Sequence, residues 1–458
     1  MANQQSPVNK NLSKIVSSYY PRLSKQHFIE TSIEKTYTDT YLPINNYEND
    51  NFIEFRIPAT TAIFTDLSQM LLNFQIQIRK KIKEGSTWSA MKDLVSGDHI
   101  DIINGSSFSI FKHLSVRMNN IQIVNDVSYS YASYLKLLTK FSTDDLSKIG
   151  KLYHLELYED IINNLNDDTY FQGLTPSNPI YKRLTNLRNH GVFCRTPLLA
   201  DICETDMFLL DGIDINIKLD LHPDAFILNT AQQKPDLNAT TPKKYFLKLN
   251  DVKLDVTRVK PTENSYTALM KSLMPNNNNT PYINYLYTSK LLKQYHLTSG
   301  INEYIVETPY HQSLPEKLYF CFLKYDSFNT TSYDQNGLFL EHLNLKKVFI
   351  TINGSTVYNV DCNFSNHDVS MIYDITLKAL DKHNMLTFDS FIKGATFFAF
   401  PLTNFDNIAN IRAPYYGSLR ITLSFHSRLA DSGVLLMFGD ILSSLSVNYK
   451  REILLNRN

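Results

Sequence analysis

Two stretches of this 458-residue chain, more than two hundred residues apart, carry the same alternation broken by the same kind of turn. The first runs from His113 to Ile123 and turns at Asn119-Asn120. The second runs from Lys347 to Val357 and turns at Asn353-Gly354. Apolar and polar residues alternate on both sides of each turn, which puts one face of a strand into a core. Asn and Gly accept the positive φ of a two-residue turn, so each stretch predicts a β-hairpin. A helix-like patch follows each hairpin, Tyr131 to Phe141 and Val369 to Leu380. Farther on, Leu210 to Ile217 matches Tyr416 to Leu423. In both, a glycine, Gly212 or Gly417, precedes an alternating strand. The same elements recur in the same order, so the chain reads as two copies of one β-sandwich, alike in pattern and not in residue identity.

The other segments fit that frame. Phe52 to Ile57 alternates and stops at Pro58, as a first strand would; Leu71 to Arg79 alternates over most of its length. A polar, mostly helical insertion spans Asp144 to Phe171. Gly191 to Cys194 and Leu209 to Leu221 resume the sheet, and Tyr245 to Val259 closes the first half. Thr262 to Leu273 predicts a short helix between a Thr-x-x-Ser cap and Met274-Pro275. The Asn276–Asn279 run that follows is the linker candidate. Second-half strands are expected at Lys317 to Lys324, Val348 to Ile352, Ala395 to Phe400, Leu419 to His426 and Val434 to Phe438, with Leu442 to Ile453 closing the sheet.

The fold expected is all-β: two tandem, roughly eight-stranded jelly-roll β-sandwiches (a double jelly roll) with short helical insertions. The division is an N-terminal arm at residues 1–50, a first jelly roll at 51–261, a linker helix and Asn-rich loop at 262–280 and a second jelly roll at 281–458. Residues 1–50 read as an arm because their apolar side chains are sparse and keep no sustained period. Ile33, Tyr37, Tyr41 and Leu42 would order it on a partner.

Lys and Arg number 45 and so do Asp and Glu, which gives zero formal net charge. Nucleic-acid binding draws most of its affinity from clustered cations, so sequence-specific nucleic-acid binding is not expected. The one dense basic run, Arg79-Lys80-Lys81-Ile82-Lys83, ends a strand and reads as a solvated tip. The start Met1-Ala2-Asn3-Gln4-Gln5 has no apolar core, which predicts no secretory signal. No stretch is long and apolar enough for a transmembrane helix. Cys194, Cys203, Cys321 and Cys362 form no CxxC pair and predict reduced, buried thiols in a chain made inside the cell.

No spacing announces catalysis. Phosphate-loop and dinucleotide-binding glycine patterns are missing, and Asn104-Gly105-Ser106-Ser107 reads as a turn, not a nucleophile elbow. His190, Cys194 and Cys203 are spaced too loosely for a zinc site. Asp144-Asp145 and Asp167-Asp168 read as helix caps and solvated faces. Glu204 and Asp206 flank a turn, and nothing in the sequence sets them across a cleft as glycoside hydrolysis requires. Trp88 is the only tryptophan, so no carbohydrate-stacking platform is evident. No catalytic, cofactor-binding or metal residue is assigned, and no enzyme activity or cofactor is expected.

One ordered set of blocks carries a resemblance. Ser32-Ile33-Glu34 and Tyr41-Leu42-Pro43 precede Ile53-Glu54-Phe55-Arg56-Ile57-Pro58, then Asp66-Leu67 and Leu72-Asn73-Phe74-Gln75-Ile76. The most specific block runs from Asp206 to Leu219 and on through Asp224-Ala225-Phe226. Lys253 to Lys260, Leu314-Pro315-Glu316-Lys317 and Tyr415 to Ile421 complete the set. In order and spacing these blocks resemble the major capsid proteins of Polinton/Maverick elements and adinto-like viruses, over roughly Ser32 to Asn448. The resemblance implies a double jelly roll of the adenovirus-hexon lineage. It implies homotrimers that act as pseudo-hexamers and tile an icosahedral shell around double-stranded DNA, with neighbouring capsomers and a minor (penton) capsid protein as partners and the virion as location. The alternatives are a non-virion scaffold on the same fold, or a carbohydrate-binding or carbohydrate-active β-sandwich.

Overall fold

Alternating side chains make strands wherever one face can be buried, and here they build two sandwiches in succession. The computed structural model describes residues 32–48, 50–95, 98, 100–140, 148, 150, 153–154, 187, 191–229, 243–275, 280–310, 314–329, 336–380, 384, 386–402 and 416–457. Nearly all of the polar insertion and the whole Asn276–Asn279 run lie outside the described residues.

In chain order the first half holds β1 (Ile33–Tyr41), β2 (Phe52–Ile57), β3 (Phe64–Glu84), the short β4 (Thr87–Trp88), β5 (Lys92–Asp93) and β6 (Asp101–Ile102), β7 (Phe111–Met118), β8 (Ile121–Asp126), β9 (Val192–Pro197), β10 (Ile215–Leu221), the short β11 (Leu228–Asn229) and β12 (Lys243–Pro261). The second half holds β13 (Tyr282–Leu297), β14 (Glu303–Glu307), β15 (Lys317–Lys324), β16 (Leu345–Ile352), β17 (Ser355–Asp361), β18 (Phe397–Pro401), β19 (Leu419–Phe425), β20 (Gly433–Asn448) and β21 (Ile453–Arg457). One sheet of the first half runs β1-β12-β3 with β9 against the far side of β3, and the other runs β2-β10-β7-β8. The second half repeats both orders as β13-β20-β15-β18 and β14-β19-β16-β17. The eight strands of these two sheets in one half each have a counterpart in the other, while β4, β5, β6, β11 and β21 stand outside the repeat, so the double jelly roll expected from the pattern is the fold observed.

The paired hairpins correspond in detail. Asn119 and Asn120 have φ of 46° and 68°, Asn353 and Gly354 of 51° and 79°, the all-positive pattern of a type I′ turn. In each hairpin the register slips once at the same place, between Val116 and Arg117 and between Ile350 and Thr351. The expected helices also occupy one place in both halves: Tyr129–Lys140 lies between β8 and β9, and Ser370–Ala379 between β17 and β18.

Three expectations change. Ile33–Tyr41 is not arm but strand, paired antiparallel to β12 from Ile33 opposite Pro261 to Tyr41 opposite Leu254. Its inner face hides from an apolar count, because Asp39 and Tyr41 meet the buried guanidinium of Arg258 at 3.4 and 2.8 Å. The closing strand is also redrawn. Gly433 to Asn448 is one continuous strand, and Ile453–Arg457 turns back to pair with its end. The Arg79–Lys83 run is no mere solvated tip, since Lys80 turns inward to Asp98. In the sheet of β15 and β18 the alternation disappears. Leu318 to Leu323 and Phe397 to Phe400 are all buried, as strands covered on both faces should be.

Candidate functional site

Among the described residues, the side chains that sequence reasoning weighed for chemistry do not converge. His190, Asp144, Asp145, Asp167 and Asp168 lie outside the described residues. Cys194, in β9, lies 3.8 Å from Nδ1 of His154, whose same nitrogen is 2.8 Å from Ser106 Oγ. Ser106 opens a short helix, Ser106–Ser109, behind Gly105 at φ 61°. Ser106, His154 and Cys194 are all buried, and burial raises the Cys194 thiol well above its ordinary value. A protonated thiol and a sealed hydroxyl make a packed polar knot, not a nucleophile. His154 was beyond sequence reasoning, because only the fold brings it from the insertion to β9.

Cys203 sits in a single 3-10 turn, Asp201–Glu204, with its thiol raised by burial to about 12. Glu204 turns to Lys136 at 3.1 Å while Asp206 stays exposed, so the two carboxylates do not face each other. Among the described residues no group of three or more His, Cys, Asp or Glu could hold a metal ion, and no helix is long and apolar enough to cross a membrane.

What the structure assembles is a seam of charged and aromatic groups between the sandwiches. Lys136 donates to Asp201 Oδ1 at 2.6 Å, and the other oxygen of Asp201 accepts from the backbone N–H of Lys290 in the second half at 2.8 Å. Burial alone would lower the Lys136 ammonium, but Asp201 and Glu204 outweigh it and hold it above its ordinary value. Lys290 pairs in turn with Asp440, which accepts from Tyr319 Oη at 3.1 Å. At the other end of the seam Asp211 accepts from Arg451 Nη2, from Tyr266 Oη at 2.9 Å and from the N–H of Ala62 at 2.9 Å. Tyr285 Oη accepts from the N–H of Leu210 at 3.0 Å, and Tyr131 Oη donates to the carbonyl of Gly337 at 2.9 Å. Buried, mutually satisfied charges of this kind fix orientation more than they add stability. Chemically, the seam is a rigid joint.

The outer faces differ in character. On β2-β10-β7-β8 the polar groups pair among themselves. His113 lies 2.8 Å from Asp220 and from Asn125, and Asn216 donates to Glu54 at 2.7 Å. Where β13, β20 and β21 run side by side, the outward residues carry no charge: Leu286 and Leu454 are 54% and 55% exposed, with Ser444, Ser446 and Asn284 between them.

The topology and this distribution define the class: the chain is a double jelly-roll protein. No protein-family model and no curated protein matches the sequence. Solved structures do match. The cryo-EM structure of the Sputnik virophage superposes with a TM-score of 0.64 at 12% identity, covering 100% of this chain and 93% of that one. The Faustovirus major capsid protein gives 0.56 at 9% identity, covering 98% of each chain. The mavirus major capsid protein gives 0.53 at 12% identity, covering 100% of this chain and 96% of its own.

Proposed function

We propose that this chain is a viral major capsid protein, a structural and non-enzymatic subunit that forms homotrimers and builds an icosahedral shell around a double-stranded DNA genome. The observation that carries this reading is the strand-for-strand duplication within one chain. Three copies present six nearly equivalent sandwiches, and a six-fold outline from a three-fold assembly is what a hexagonal lattice needs. The rigid seam supports it, because pseudo-hexagonal shape survives only if the two sandwiches cannot swing. The likeness along the chain to the Sputnik virophage structure and to the mavirus and Faustovirus major capsid proteins supports it as well. Within that group the sequence blocks favour the Polinton/Maverick and adinto-like branch. Neighbouring capsomers and a penton protein are the partners, and the virion is the location.

The domain division is proposed with the arm shortened to residues 1–31, which lie outside the described residues and would contact neighbouring subunits. Protease protection of those residues in particles, against none in free trimers, is the expected result. For the whole proposal the test is electron microscopy of the purified protein with light scattering at micromolar concentration. Trimers with a hexagonal outline are expected. Monomers alone would overturn the reading, and flat honeycomb sheets that never close would assign a non-virion scaffold instead.

A further inference from the structure

We propose that the end of the first sheet formed by β3, β4 and β12 is a binding surface for an acidic glycan. Arg79, Lys81 and Lys83 alternate along β3, so their side chains leave the same face. Across the β12 ladder Phe246 stands opposite Arg79, and Lys244 opposite Lys81. Across the β4 ladder Trp88 stands opposite Lys83. A line of cations is thus flanked by one aromatic ring on each side. The ammonium groups of Lys81 and Lys244 lie 5.4 and 5.1 Å from the Phe246 ring centre. Trp88, in the short β4, is 39% exposed.

Part of the charge on this face is left without an ion pair. Arg79 is tied to Asp93 at 2.5 Å, and Lys80 points to the opposite face. Lys81, Lys83 and Lys244 form no close ion pair with a carboxylate among the described residues, and Lys244 acts on Asp224 only at longer range. Like charges directly opposite in an antiparallel pair repel, a cost that an anion lying between Lys81 and Lys244 removes. The free cations are ammonium groups, compact point charges that suit sulfate or carboxylate without a planar fork. The exposed indole selects among polyanions. A duplex hides its bases and leaves Trp88 idle, whereas a sugar ring offers a C–H face that packs flat on an aromatic ring. Sulfated or uronate-bearing saccharide satisfies both halves of the surface at once.

Because Trp88 is the only tryptophan in the chain, its emission reports this surface directly. The experiment titrates the full-length soluble protein with a heparin-derived oligosaccharide, with an uncharged dextran oligosaccharide, and with single-stranded and duplex DNA of similar charge. It reads binding whatever the protein's assembly state, so its result is independent of the capsid proposal. Heparin oligosaccharide should change the emission saturably and dextran should not. Three neutralised cations should weaken binding roughly twenty- to fortyfold between 50 and 200 mM salt, by counterion-release arithmetic. The combined Lys81→Gln, Lys83→Gln and Lys244→Gln protein should bind at least tenfold more weakly with an unchanged melting temperature. Should that variant fail to fold, Lys83→Gln and Lys244→Gln made singly provide the comparison. Unchanged emission, or equal binding by the lysine variants, overturns the proposal. Tighter binding of single-stranded DNA through the same lysines overturns the glycan assignment.

Discussion

Charged residues inside this protein are held by specific partners, and that makes their energetics predictable. Lys80 pairs with Asp98, which also accepts from Lys243 at 2.8 Å. Burial pushes the Asp98 carboxyl up, but hydrogen bonds from Lys243 and Lys80 outweigh it and hold the group below its ordinary value. Asp98→Asn would leave two ammonium groups in a buried site without an anion, and should cost about 3 kcal/mol in urea denaturation. His222 stacks on Phe226 with ring centres 3.7 Å apart, and its Nε2 faces Ser130 Oγ at 2.9 Å. Burial, with Lys112 nearby, depresses its imidazole to about 3. The unfolded chain takes up that proton near pH 6.5 and the folded chain only near 3, so between those values the unfolded state binds more protons. Stability from this group is full above the unfolded value and is lost as pH falls through that window. His222→Gln should flatten the acid side of a plot of melting temperature against pH. Parallel plots for mutant and parent would contradict the assignment.

Between elements, the repeat rests on one device used twice. Asn119 both donates its N–H to the carbonyl of Asp214 and accepts the N–H of Asp214 on its side-chain oxygen, each at 2.9 Å. Asn353 does the same with Ser418, at 2.9 and 2.8 Å. Each hairpin turn thereby clamps the start of the central strand beside it, β10 or β19. Asn suits the position because it tolerates positive φ and carries an acceptor. Asn353→Ala should destabilise by roughly 1–3 kcal/mol, summing backbone strain and a lost hydrogen bond, and Asn353→Gly by less because it restores the backbone freedom. Chemical denaturation of the three proteins checks the order. The clamp also shows that Gly212 and Gly417 are neighbours of equivalent positions, one residue out of step. Gly212 needs its φ of +73°, whereas a Cβ at Gly417 would come within 2.7 Å of the Asn353 side chain. Two different constraints placed a glycine before each strand.

At the scale of the molecule, the joint between sandwiches decides whether they behave as one body. Arg451 reaches back from beyond β20 to Asp211 at the start of the segment leading into β10, and Asn119 donates to the Arg451 carbonyl at 3.2 Å. The hairpin clamp of the first half and the tail of the second thus share residues. Arg451→Ala leaves the Asp211 carboxylate, which is 4% exposed, without its cation and with only Tyr266 and the Ala62 N–H as donors, and should cost about 3 kcal/mol. It should also separate the melting of the two halves in calorimetry. A single transition at the parent temperature would show that the seam elsewhere carries the coupling.

Alternation, Asn-bearing turns and element order are local properties, and they were enough to establish the sandwich class, both hairpins, both helices that follow them and the duplication itself. Long-range pairing decided the rest. Ile33–Tyr41 became a strand because β12, more than two hundred residues away, offers Arg258 to Asp39 and Tyr41, a polar inner face that no apolar period reveals. Lys80 turned inward because Asp98, which also holds Lys243, meets it there, and Leu318 to Leu323 lost their alternation because neighbours cover both faces. A strand's own residues set its propensity and its two faces. What each face meets is a property of the assembled chain, since the groups that meet it lie far away in sequence.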